Sequence, residues 1–441
     1  MNRFSIRPCA IGLCVFTTLI FSVSTPVNGD DLELKKRIKD LNADQANHWI
    51  YNDIAAGFAK AKQSGKPLFV TFRCVPCKAC LGFDAEVADG NDVIKKIAKE
   101  NFVCVRQIEM KGVDLTQFQF DHDLNWAGMF LNADGTVYAR YGTQSEAGPD
   151  EFNSTKGLAN TMKRVLELHA DYPNNAKLFQ NKTPPQKKWK TAREMPTLNP
   201  SIQVDGQTTR SNCIHCHNIH DAENAMWQNN GTMTKERLWR YPLPANIGLE
   251  IGALDGRTIK SVVPGGPASR ANVTAGKTIS QINGQAVSSI ADLQWAWHHL
   301  PNTETQFELQ FADQSKTTIR LPAGWKKTDI SWRGSLWELS PVLRVWTPAA
   351  TDDVRNKLKV KDGDGALQVK WINRGKPSGK AAAKAGLKNG DVIVKLAGKP
   401  VPNTHRRFNL LVKMNYKVGQ TLDLTVLRNG KEMQVELPLV E

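Results

Sequence analysis

At 441 residues the chain is too long for one ordinary core, and two to four domains are expected. Its 41% hydrophobic and 23% charged residues exclude a disordered polymer. The formal charge of +15 is uneven: residues 351–441 carry 18 Lys+Arg against 9 Asp+Glu, a face suited to anionic peptides or a membrane surface, with scattered solvated lysines as the plainer reading.

Residues 1–29 read as a secretory leader. Arg3 and Arg7 precede an apolar stretch from Ala10 to Val23, and Val27-Asn28-Gly29 offers compact residues to a signal peptidase. An uncleaved anchor is the alternative, although the stretch is short for a membrane span. No later run is long and apolar enough to cross a bilayer. Export to a periplasm or cell envelope follows, and with it no nucleic-acid partner. Residues 30–44 form a polar, helical link to the first domain.

Residues 45–170 alternate helix and strand. Ile54–Ala61 reads as a helix, Pro67–Phe72 as a buried strand, Asp92–Lys99 as a helix and Asn101–Glu109 as a strand. Asp134-Gly135 turns a hairpin between Met129–Leu131 and Thr136–Tyr141, and Gly157–His169 closes the unit with an amphipathic helix. Six cysteines lie beyond the leader, five of them in two tight clusters. Cys104, inside an apolar strand, reads as a small core residue. The first cluster, Cys74-Val75-Pro76-Cys77-Lys78-Ala79-Cys80, stands between strand and helix, where a helix N-terminus favours thiolate. The same spacing binds metal, and the third thiol keeps that reading open. Arg73 reads either as a fixed cation beside the thiol or as a solvated loop residue.

In this setting Cys74-Val75-Pro76-Cys77-Lys78 resembles the Cys-x-Pro-Cys-Lys signature of the thioredoxin family. The resemblance implies a thioredoxin-like α/β sandwich in which Cys74 attacks and Cys77, or here Cys80, resolves. Two departures are visible. Arg73 replaces the usual tryptophan, and Asn125-Trp126-Ala127-Gly128 carries no proline where the family places a cis-proline, which favours a metal-binding or sensing variant.

Residues 171–210 are polar and proline-punctuated, and read as a linker. In 211–244, Cys213-Ile214-His215-Cys216-His217 matches the attachment signature of c-type haem, with Cys213 and Cys216 as thioether sites and His217 as axial ligand. Met226, Met233, His298 and His299 are candidates for the second axial position. Zinc on Cys213, Cys216, His217 and His220, or a redox-active pair, is the alternative.

Residues 245–323 and 365–441 repeat one pattern. Val262–Ala271 with Ile279–Val287 in the first copy matches Lys384–Ile393 with Leu396–Val401 in the second. Both resemble PDZ domains of the bacterial, permuted kind. The resemblance implies that a peptide or protein C-terminus adds a strand while loop amides hold its carboxylate, at Ile247, Gly248 and Leu249 in the first copy and at Leu367 and Gln368 in the second. Residues 324–364 form a connector dense in tryptophan. No Gly-x-Ser-x-Gly or trypsin-like triad context accompanies the repeats, so a protease is not expected.

The whole order resembles a bacterial group of exported thioredoxin/PDZ proteins. The expectation is a multidomain α+β chain: a thioredoxin-like sandwich, a Cys-x-x-Cys-His segment, and two PDZ-like, partly open β-barrels. Its function reads as an exported thiol-disulfide oxidoreductase whose PDZ-like domains recruit a peptide or protein partner. The alternative is a non-catalytic scaffold whose cysteine clusters hold haem or metal.

Overall fold

A computed structural model describes residues 29–38, 40, 48–73, 81–182, 188–206, 209 and 212–441. Residues 1–28 of the expected leader, and the cluster Cys74, Cys77 and Cys80, lie outside the described residues. No described helix is long and apolar enough to cross a membrane.

The N-terminal unit contains α1 (Gly29–Ile38), β1 (Trp49–Tyr51), α2 (Ile54–Ser64), β2 (Leu68–Arg73), α3 (Leu81–Ala85), α4 (Asp92–Asn101), β3 (Val103–Gln107), β4 (Trp126–Leu131), β5 (Val137–Tyr141) and α5 (Thr155–Ala170). A π-helical turn, Glu86–Gly90, follows α3. Asp53, Asn91 and Ser154 cap α2, α4 and α5 by accepting from backbone N–H groups, which starts each helix where the sequence turns apolar. The sheet order is β1-β3-β2-β4-β5, with β1, β3 and β2 parallel and β4 and β5 antiparallel. Every residue of β2 to β5 is buried, as expected of strands covered on both faces. Val70 and Phe72 point into one core, and Phe69 and Phe130 into the other. Cys104 lies in the second core, where burial raises its thiol pKa far above the usual value.

The expected linker does not behave as a tether. Ala192, Met195 and Leu198 join Val70, Phe72 and Met129 in one core, and Phe179 joins the core on the other face. The backbone is stitched on as well, with Leu115 N–H donating to Lys190 O at 2.7 Å and Met110 N–H to Ile214 O at 3.0 Å. Next comes α6 (Cys216–Asn229).

The first repeat comprises β6 (Leu249–Ile251), β7 (Ile259–Val262), α7 (Pro267–Arg270), β8 (Ile279–Ile282), β9 (Gln285–Ala286), α8 (Ile290–His298), β10 (Thr305–Phe311) and β11 (Lys316–Leu321). The second has β12 (Val345–Trp346), α9 (Asp352–Lys357), β13 (Leu367–Gln368), β14 (Trp371–Ile372), α10 (Pro377–Lys384), β15 (Val392–Leu396), β16 (Lys399–Pro400), α11 (His405–Asn415), β17 (Thr421–Arg428) and β18 (Lys431–Pro438). Their sheets, β11-β10-β8-β9 and β13-β15-β17-β18, are open rather than closed barrels. Leu343 and Val345 belong to the second repeat's core, so this repeat begins inside the expected connector.

The first repeat is fixed to the N-terminal unit through α8, whose residues from Ile290 to Trp297 are all buried. One side meets the repeat's own core. The other meets β5 and the short helical turn Ala176–Lys182. Asp292 accepts from Arg140 N–H at 3.1 Å and pairs with Lys182 Nζ at 3.0 Å. The Arg140 guanidinium lies 3.5 Å from the centre of the Trp295 ring, and Thr143 Oγ1 donates to Gln294 Oε1 at 2.7 Å. Burial lowers the pKa of both cations, Arg140 to about 10. Gly157 permits the close approach of α5, because a Cβ there would stand 2.2 Å from Ala253 O. Phe152, from the loop before α5, packs onto the first repeat's core.

Asp292 is the acid whose charge favours both buried cations at this junction. Asp292→Asn therefore leaves both charges uncompensated and is expected to cost about 3–5 kcal/mol in urea unfolding. Limited proteolysis should then release the first repeat from the N-terminal unit.

Candidate functional site

The candidate site is built at the C-terminal ends of β2 and β3, which run parallel with Phe72 beside Gln107. Arg73 ends β2 fully buried, so it is not a solvated loop residue. It pairs with Asp84, lies 3.8 Å from Asp40, and donates to Ile38 O at 3.1 Å. Arg106 on β3 reaches the same two acids, with Nη2 at 3.0 Å from both Asp84 Oδ2 and Asp40 Oδ1. Trp126, the first residue of β4, donates from Nε1 to Asp84 Oδ1 at 3.0 Å. Two arginines and two aspartates balance in a dry setting, where a lone charge would be intolerable. Burial nevertheless raises the pKa of Asp40.

The Cys-x-x-Cys-His segment closes on this same sheet end. Cys213 is fully buried, with Sγ 3.9 Å from Ile108 O, one residue beyond β3. Cys216 and Ile214 lie in the core that holds Met110 and Phe72. His215 stands at the N-cap of α6, which places Cys216 at the first helical position, where the helix dipole favours negative charge. His217 Nδ1 is 3.0 Å from Asp221 Oδ2, and its ring lies 5.6 Å from His215 and 5.8 Å from Trp337.

As folded, these residues do not fit a haem. A macrocycle joined to both thiols and to His217 needs all three at one cleft, whereas Cys213 is covered by the sheet end and Cys216 lies in an apolar core with Phe72 and Met110. The expected second ligands are elsewhere. Met226 borders a cavity with Trp189 and Ile219, Met233 packs with Leu238 and Ile330, His298 stacks on Tyr241 at 4.2 Å, and His299 Nδ1 is 2.8 Å from Trp295 O. The zinc quartet does not assemble either. Among the described residues, the one group of three or more such ligand atoms within 4.8 Å is Asp121, Asp123 and His220.

That group is already satisfied as an ion-pair hub. Arg333 donates to Asp121 at 2.7 and 2.8 Å, to Asp123 at 3.1 Å and to Arg240 O at 2.7 Å. Asp123 also accepts from Ser335 N–H at 2.8 Å and lies 3.1 Å from His220 Nδ1. A metal would have to displace a guanidinium that forks across both carboxylates. The histidine and arginine contacts hold the Asp123 carboxyl well below its usual range, while burial lowers the pKa of His220. No sequence motif announces this hub.

The two repeats differ at their expected peptide sites. In the first, Gly248 adopts φ 78°, a left-handed conformation suited to glycine, between buried Ile247 and Leu249 at the start of β6. In the second, Leu367 and Gln368 cannot receive a strand. Both pair with β15 on one edge, while on the other Gln368 N–H donates to Pro348 O at 2.8 Å and Leu367 bridges Ala349. The open position is instead β12, which uses one edge for β14 and faces α11 across a cleft of 490 Å³. This strand comes from the segment before residue 350, outside the repeated stretch Lys384–Val401 and inside the expected connector. His405, Asn409 and Lys413, four residues apart on one face of α11, line the opposite wall. His405 Nδ1 accepts from Thr347 N–H at 3.2 Å, and burial lowers the histidine's pKa to about 4.

Comparison with known proteins identifies the parts. A thioredoxin-like family model matches residues 49–133, and PDZ-domain models match residues 241–296 and 364–439. The chain thus carries a thioredoxin-like domain followed by two PDZ domains. A serine protease Do-like HtrA of Lactobacillus helveticus is 35% identical over 86 residues, 19% of this chain and 19% of that protein. A probable periplasmic serine endoprotease, DegP-like, of Marinomonas sp. is 23% identical over 187 residues, 42% of this chain and 38% of that protein. The chain therefore spans well under half the length of these relatives. A solved structure of an HtrA-type protease with decapeptide aligns over 42% of this chain and 54% of that one, at 18% identity and a TM-score of 0.21.

Burial holds His220, His298 and His405 below the ordinary histidine pKa, so the folded chain binds fewer protons there than the unfolded chain does. Stability is then fully present above pH ~6.5 and falls as acid is added. Urea midpoints should drop from pH 7 toward pH 4. His405→Gln should flatten that slope between the ordinary histidine pKa and about 4.

Proposed function

We propose that this chain is an exported thiol-redox protein: its thioredoxin-like domain exchanges dithiol for disulfide, and its second PDZ domain recruits the partner. One observation carries the reading. Cys213 and Cys216 are not in a separate module but pack at the sheet end formed by β2 and β3. In sequence Cys74 directly follows Arg73, the last residue of β2. Both cysteine clusters thus serve one domain. The leader-like N-terminus and the periplasmic description of the Marinomonas relative support export.

In this reaction the Cys74 thiolate attacks one sulfur of a partner disulfide. A mixed disulfide forms and the partner's other sulfur leaves as thiolate. Cys77 or Cys80 then attacks the Cys74 sulfur, and the partner departs as a dithiol. The partner gains two electrons and two protons, and the chain keeps an internal disulfide. The second PDZ domain supplies the open strand edge at β12 for a peptide of that partner.

Insulin reduction by the full chain tests the chemistry. Activity should fall at least ~10²-fold in Cys74→Ser, since the attacking thiolate is lost. Chain matured with a haem-attachment system should show no Soret band. A full haem spectrum, or insulin reduction unchanged in Cys74→Ser, would sink the reading.

A further inference from the structure

The PDZ cleft in the second repeat has a chemical character of its own, and its choice of ligand rests on the recruiting role proposed above. Trp337, Trp346 and Trp371 border the cleft and remain 57%, 50% and 54% exposed. Trp346 and Trp371 are cross-strand neighbours on β12 and β14, and the Trp346 ring meets His405 at 4.4 Å. Large aromatic surface left in water around one cleft marks a place where a partner covers it.

The charges decide which partner. Tryptophan faces alone would suit a cation as well as an apolar side chain. Yet the cleft is lined by Arg344, Arg406 and Lys413 and, among the described residues, by no acid. Glu338 neutralises Arg344, with contacts of 3.1 and 2.6 Å. Arg406 is exposed and has no ion-pair partner among the described residues. Lys413 Nζ donates to Leu339 O and to Pro341 O, the latter at 3.1 Å, and an ammonium has a third hydrogen to give. Burial lowers the Lys413 pKa to about 8, so a ligand carboxylate there would also stabilise its charge. A cationic ligand is repelled, and a purely apolar one leaves Arg406 and the third Lys413 hydrogen to water.

We infer that the second PDZ cleft selects an extended segment of a partner protein carrying an aromatic or large aliphatic side chain next to an acidic residue. The segment adds to β12, its apolar side chain covers Trp346 and Trp371, and its carboxylate faces Arg406 and Lys413. Trp337 also touches His217, so the bound segment lies beside α6, the helix that begins at Cys216.

Selection from a random decapeptide library with free C-termini, on the immobilised full chain, tests this. Captured peptides should be enriched in Trp, Phe or Leu adjoining Asp or Glu. Replacing the acid of a captured peptide by Lys should weaken binding by about tenfold in fluorescence polarisation, a ~1.4 kcal/mol effect. Arg406→Glu, an exposed position that should leave the melting curve intact, should reverse that preference. Trp371→Ala should weaken the aromatic peptide and spare an alanine-substituted one. Peptides that bind equally with Asp or Lys, or an unchanged preference in Arg406→Glu, overturn this inference and leave recruitment standing. Capture of no peptide at all overturns both.

Discussion

Asp123 holds together segments that are far apart in sequence. It lies in the loop leading to β4, takes His220 from α6, and receives Arg333 and Ser335 from the chain between the repeats. Asp121 shares the same guanidinium. Each partner is buried, so none can be removed without leaving a charge or donor unsatisfied in a dry interior. Gly334, between Arg333 and Ser335, packs against His217, where a Cβ would stand 3.1 Å from the imidazole. The placement of α6, and hence of Cys216 and His217, therefore depends on this ion pair as well as on the segment that precedes it, whose Met195 and Leu198 share a core with Cys216 and Ile219.

The two PDZ domains are used differently for related reasons. In the first, α8 carries Asp292, Gln294 and Trp295 on the side facing β5, and their partners on the thioredoxin-like domain complete a buried interface. In the second, α11 turns His405, Asn409 and Lys413 toward a cleft instead. A helix engaged by neighbouring protein cannot also offer a free wall to a peptide. The same fold thus provides one fixed joint and one open edge. Arg407 on α11 pairs with Asp329 at 2.7 Å and Glu146 at 2.9 Å, which ties the open copy back to the connector and to the thioredoxin-like domain.

The sequence was legible where local pattern and tertiary packing agree. The apolar run at Pro67–Phe72 gives β2 within one residue at each end, Asp134-Gly135 turns the β4–β5 hairpin, and Cys104 is buried as its strand context implies. Reading failed where long-range partners override composition. Residues 171–210 look like a linker because prolines and lysines dominate, yet Phe179, Ala192, Met195 and Leu198 are spaced to cover a sheet whose position no local pattern reveals. The choice between a fixed cation and a solvated loop residue at Arg73 stayed open in the sequence because Asp84 and Asp40 are eleven and thirty-three residues away. The strand of the second PDZ domain was missed because it is only two residues long and precedes the repeat's recognisable turn.

Burial also limits what the second cysteine pair can do. A thiol reacts as thiolate, and a thiolate is favoured by exposure or by a fixed positive charge nearby. Cys213 is shut off from solvent, and its sulfur meets the Ile108 carbonyl, whose oxygen disfavours a negative neighbour. Cys216 has the opposite bias from the start of α6, yet is buried in an apolar core. Neither sulfur is open to a protein substrate arriving from solvent.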